Sequence, residues 1–164
     1  MGLSLVSDND RMTGRFDDAV KIAERLTIAD PDNSYAYWFL AQALDADGKP
    51  DEAALAIRKA IRLDPALDDF FSVELGFDYL HNGRYEQALS LLKRHISRYP
   101  NNPFGHLGLS IAYVELGREQ DAHAEVAEVM RLSPRFALGP PELMNKDVAW
   151  RNRAYADWRK AGLR

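Results

Sequence analysis

The stretch LGFDYLHNGRYEQAL, residues 75–89, decides the fold. Leu75, Gly76 and Tyr79 open one helical pattern, which breaks at Asn82-Gly83. Ala88 then starts a second apolar stripe with Leu92 and Ile96. The same frame recurs on both sides. Gly14, Gly48, Gly83 and Gly117 stand at steps of 34, 35 and 34 residues. Ala19, Ala53, Ala88 and Ala122 keep those steps, as do Pro31, Pro65, Pro100 and Pro134. A period near 34 residues with helical patterning around each glycine means stacked helix-turn-helix units, because one unit cannot bury its apolar face alone. The expected fold class is all-α: a helical solenoid, a right-handed superhelix of antiparallel helix pairs with a C-terminal capping helix.

The glycines sit in the turn inside each pair, where φ > 0 carries no Cβ clash. The prolines close each second helix, which they cannot continue. Second helices are expected over 16–29, 50–63, 84–98 and 118–132, and first helices over 34–46, 69–81 and 104–116. Asp30-Pro31-Asp32-Asn33 and Tyr99-Pro100-Asn101-Asn102 offer polar caps to the helices that follow. The alanine column is small so that neighbouring helices approach closely. The whole chain, 1–164, reads as one domain. It divides into an incomplete repeat 1–32, repeats 33–66, 67–101 and 102–135, and a cap 136–164.

Leu75-Gly76 with Tyr79, Leu109-Ser110 with Tyr113, and Leu40-Ala41 with Leu44 repeat a leucine, a small residue and a third apolar residue at fixed offsets. With the Gly, Ala and Pro columns, residues 14–134 resemble tetratricopeptide repeats. Departures are few. Tyr37 and His106 replace the usual tryptophan, Pro50 and Glu119 an aromatic, and His95 a small apolar residue. One extra residue falls between Asp64 and Phe70, where a loop absorbs it cheaply. Tetratricopeptide arrays bind other chains, so the resemblance implies a non-catalytic interaction or scaffold module.

The ends depart from the rhythm. Residues 1–13 carry Ser7, Asp8, Asn9 and Asp10 where a first helix would be apolar, so that helix should be weak. An open apolar flank there makes self-association through the N-terminal end an alternative. Past Pro140-Pro141 a last helix is expected over 145–161, with Val148, Ala154, Tyr155 and Trp158 on one side, to cover the last repeat. From Glu142 onward six basic residues face three acidic ones. Glu119, Asp121, Glu125 and Glu128 precede it and could orient it, though exposed pairs contribute little each. Pro134-Arg135-Phe136-Ala137-Leu138, Lys146-Asp147 and Arg159-Lys160-Ala161-Gly162-Leu163 also resemble the repeat tail of bacterial class III adenylate cyclases and related regulators. That second resemblance implies a bacterial regulatory module, with no counterpart here of the cyclase catalytic domain.

Bulk composition excludes several classes. The chain has 164 residues, enough to bury about 70% of its unfolded surface. A net charge of −4 argues against a general nucleic-acid binder. Zero cysteines removes disulfides, thiolate metal sites and cysteine nucleophiles together. The start lacks a basic leader, and no stretch is long enough to span a membrane, so a cytoplasmic protein is expected.

Catalytic signals are missing. His81, His95, His106 and His123 form no HExxH and no i, i+4 pair. His95 falls in a packing column, whereas His81 and His106 could reach a groove. Asp45-Ala46-Asp47-Gly48 hints at a calcium loop, but Ala43 and Ala54 would occupy positions that need oxygen ligands. Asp17-Asp18, Asp51-Glu52 and Asp68-Asp69 stabilise helix starts. No catalytic residue, metal or cofactor is expected.

The candidate site is the concave surface lined by the first helices. In register, its positions are Tyr35, Trp38, Phe39 and Gln42, then Phe70, Val73, Glu74, Phe77 and His81, then Phe104, Leu107, Ile111 and Glu115. Aromatic anchors with a few acids suit an apolar peptide or an amphipathic helix. Some of these residues could instead pack between helices. Trp38, Gln42, Val73 and Phe77 stand where a carboxylate clamp would need Lys, Arg and Asn, which argues against one.

Overall fold

A computed structural model describes residues 14–138 and 145–163. The expected helix over 1–13 and the Pro140-Pro141 turn lie outside the described residues. Among the described residues eight α-helices run in order: α1 Phe16–Ala29, α2 Ser34–Ala46, α3 Pro50–Leu63, α4 Asp68–His81, α5 Tyr85–Arg98, α6 Pro103–Glu115, α7 Glu119–Leu132 and α8 Val148–Lys160. The described residues contain no β-strand.

Each boundary has a local cause. At Gly48 φ is 77° and at Gly83 70°, the left-handed region in which glycine alone is unstrained. The residue after each glycine then bonds back across the turn: Lys49 N–H to Leu44 O at 2.9 Å, Arg84 N–H to Tyr79 O at 2.8 Å and Arg118 N–H to Tyr113 O at 2.8 Å. Helices α2 and α6 are capped by asparagines, whose Oδ1 accepts from Tyr35 N–H and Phe104 N–H at 3.0 Å each. The extra residue after Asp64 is taken up in a 3₁₀ turn, Pro65–Leu67; a second such turn spans Pro134–Leu138.

Outer helices α1, α3, α5 and α7 alternate with inner helices α2, α4 and α6, each element packing on its neighbours in sequence. All four column alanines have no exposed surface, as close approach of helices requires. The buried residues form two clusters, one over repeats one to three and one over repeats three and four, and Tyr79 packs against both.

The last helix departs from this nearest-neighbour order. Its main packing partner is α6, so it covers repeat four from the inner side. Trp158 is fully buried there, which contributes roughly 1.5–3 kcal/mol of apolar transfer. Gly162, with φ 98°, ends α8 by the same turn as in the repeats, Leu163 N–H bonding to Trp158 O at 2.9 Å.

Candidate functional site

Helices α2 and α4 lie side by side, and their starts carry an aromatic cluster. Trp38 touches Tyr35, Phe39 and Phe70 at ring-centroid distances of 6.1, 5.1 and 5.7 Å. Tyr35 and Phe70 are 44% and 41% exposed, Trp38 and Phe39 half-buried, and Phe71 beneath them fully buried. Phe71 was not among the expected positions, although the Phe70-Phe71 doublet marks the place. Gln42, Val73, Glu74 and Phe77 continue this wall, all half-buried. The Trp38 indole nitrogen is buried and has no hydrogen-bond partner among the described residues.

The same register on α6 gives a different result. Phe104 is 44% exposed and meets Phe136 edge-on at 6.4 Å. Leu107 and Ile111 have no exposed surface and share a buried cluster with Trp150, Ala154 and Trp158. The Trp158 indole N–H donates to the Leu107 carbonyl at 3.2 Å. Glu115 is half-buried and lies against Asp157 of α8. The inner surface is therefore split: an aromatic wall at the starts of α2 and α4, and a surface already covered by α8 along α6.

His81 stands at the junction and is buried. Its Nδ1 lies 3.2 Å from Asp45 and its Nε2 3.1 Å from Asp147, and Trp150 stacks on its ring at 5.0 Å. Burial lowers its pKa, but the two carboxylates outweigh burial and hold it above the ordinary value. The segment before α8 is tied to the end of α2. Asn145 Nδ2 donates to Asp45 O at 2.6 Å, and Lys146 N–H to Ala46 O at 2.6 Å. The Lys146 ammonium lies 3.0 Å from Asp47 and 3.3 Å from Asp17. At the end of α8, Lys160 pairs with Glu119 at 2.8 Å and His123 Nδ1–H donates to Ala161 O at 2.8 Å. The sequence signalled the basic character of this segment, but not its attachment to α2.

Two other histidines are structural. His95 Nδ1–H donates to Asp69 O at 2.6 Å, while Asn102 donates to Nε2 at 2.9 Å, so the ring is neutral; burial depresses its pKa. His106 donates from Nδ1 to Glu125 at 2.6 Å and from Nε2 to Pro100 O at 3.0 Å. Burial opposes its charge, but those acceptors raise its pKa overall. Neither faces the groove.

Buried Asp78 lies near Asp45 and Glu74; burial first, then both carboxylates, push its pKa well above the ordinary value. No group of three His, Asp or Glu among the described residues is arranged to hold a metal ion. No described helix is long and apolar enough to cross a membrane. What the geometry offers is a half-exposed aromatic wall along α2 and α4.

Comparison with known proteins agrees with this architecture. Tetratricopeptide-repeat family profiles match residues 12–68 and 79–137. No curated protein matches the chain in sequence. Among solved structures, a thermophilic tetratricopeptide-repeat protein of Thermus thermophilus, TTC0263, is similar with TM-score 0.71 and 20% identity, over 94% of this chain and 79% of that one. Pseudomonas aeruginosa pilF gives TM-score 0.71 at 19% identity, over 98% and 72% of the two chains. A crystal structure of MamA gives TM-score 0.67 at 21% identity, over 95% and 92%. At such identities these structures speak for the fold alone. With repeat register, turn geometry and both profiles in agreement, the chain belongs to the tetratricopeptide-repeat family, whose members serve in general as protein-interaction scaffolds.

Proposed function

We propose that this chain is a non-catalytic scaffold that holds an apolar segment of another protein, as a peptide or an amphipathic helix, on the wall made by α2 and α4. The observation that carries the reading is the aromatic cluster around Trp38, with Tyr35 and Phe70 more than 40% exposed beside half-buried Val73 and Phe77. Aromatic anchors set among weakly contributing neighbours are where binding energy concentrates. Gln42 and Glu74 on the same wall would fix the register of the bound segment by polar contact.

The test is affinity capture from native extract with wild type, Phe77→Glu and Phe70→Glu. Phe70 is open to solvent, so its variant should keep the fold. Loss of the captured protein with unchanged helicity supports the wall; undiminished capture by both variants removes it. The ending's likeness to repeat tails of bacterial cyclases points to a regulatory setting for such a scaffold. In keeping with a non-catalytic role, the isolated chain is expected to turn over no nucleoside triphosphate, measured by product release.

A further inference from the structure

The inner surface already has an occupant, and it belongs to this chain. We infer that residues 145–163 form a displaceable strap, competing for the inner surface with a partner helix of the same chemistry: an indole on one side and basic side chains along the other. The inference rests on the groove reading above and names the character of the partner.

Three observations carry it. First, the covered floor is made of groove positions: Leu107 and Ile111 hold the register of Val73 and Phe77, yet only the former are sealed. Second, the seat is generic. Trp158 is held through the backbone carbonyl of Leu107, and Arg153 reaches the carbonyl of His81, acceptors that any indole and any guanidinium could use. Third, charge is complementary at the two ends of the contact. Asp17 and Asp47 receive Lys146, and Glu119 receives Lys160. Lys160 and Glu119 are 52% and 56% exposed, so that pair holds its end only weakly, whereas Lys146, itself 55% exposed, meets a buried Asp47. A strap whose far end is held by one exposed pair, beside an open aromatic wall, can yield from that end to a helix that engages both.

The probe is a fluorescein-labelled synthetic peptide with the sequence of residues 145–164, titrated into the full chain and read by anisotropy. Lys146→Glu breaks the contacts with Asp47 and Asp17 from an exposed position; Trp158→Ala empties the seat. Either variant weakens the internal strap but leaves the probe intact. Both are therefore expected to bind the probe at least tenfold more tightly than wild type. Should Trp158→Ala fail to fold, Lys146→Glu decides alone. Equal affinity for wild type and folded variants overturns the strap, and so does failure of every form to bind. Only the first of these leaves a bound peptide, and Phe70→Glu measured on it then judges the groove reading separately.

Discussion

His95 and His106 are buried one helix apart and are set to opposite protonation states by their partners. A carbonyl acceptor and an amide donor fix His95 as neutral, whereas a carboxylate and a carbonyl, acceptors both, favour His106 as the cation. By NMR titration His95 should lose its proton below pH 6.5 and His106 above it. Because the folded pKa of His106 is raised, its stabilising contribution is fully present below 6.5 and is lost as pH rises through the folded value. Glu125→Gln should bring the His106 titration down and cost on the order of 1–3 kcal/mol, read by urea denaturation. The reverse order of titration would overturn the assignment. Gly76 shows a different constraint. A Cβ there would stand 2.6 Å from Leu92 Cδ2 and 2.8 Å from its Cγ, and Leu92 is fully enclosed. Gly76→Ala is expected to lose about 1–3 kcal/mol by overpacking, seen as a lower urea midpoint.

Helices could be read from the chain because each is bounded by a residue with a mechanism of its own. Glycine at positive φ, proline after the last turn and asparagine at the start put most boundaries within a residue of expectation. Asn102 makes two such contributions: it caps α6 and donates to His95. Asn102→Ala should therefore cost more than Asn33→Ala, about 2 kcal/mol against about 1, measured side by side by chemical denaturation. Equal losses would remove the bond to His95 from the account. The site was less legible, and the reason is physical. Periodicity places Val73, Phe77, Leu107 and Ile111 on one surface, but says nothing about what lies over it. The basic stretch from Lys146 to Lys160 reads as a helix by its own pattern. Its anchor on Asp45 and Ala46 is 100 residues away, in a contact the repeat pattern does not signal. Phe71 was missed because its neighbour Phe70 took the inward register, leaving the deeper ring unassigned.

At the scale of the molecule, the strap alters how the array responds to pH. Asp157, facing Glu115 and Tyr85 from the repeats and Arg153 and Lys160 on its own helix, is pushed by burial and then by Glu115 from 3.8 to about 7. His81, between Asp45 and Asp147, is raised above 6.5. Both groups bind more protons when docked, so docking weakens as pH rises, through about 4 to 7 for Asp157 and upward from 6.5 for His81. Hydrogen exchange of the α8 amides, corrected for intrinsic rate, should therefore show less protection at pH 8 than at pH 6, whereas the α5 amides change less. Equal changes in the two helices would place the effect elsewhere. Repeat arrays otherwise hold only near neighbours, but here Lys146 meets Asp17 across 129 positions of sequence. A ribosome delivers about 5–20 residues per second, earlier segments first. Residues 145–163 are therefore made seconds after Leu107 and Ile111, the floor before its cover.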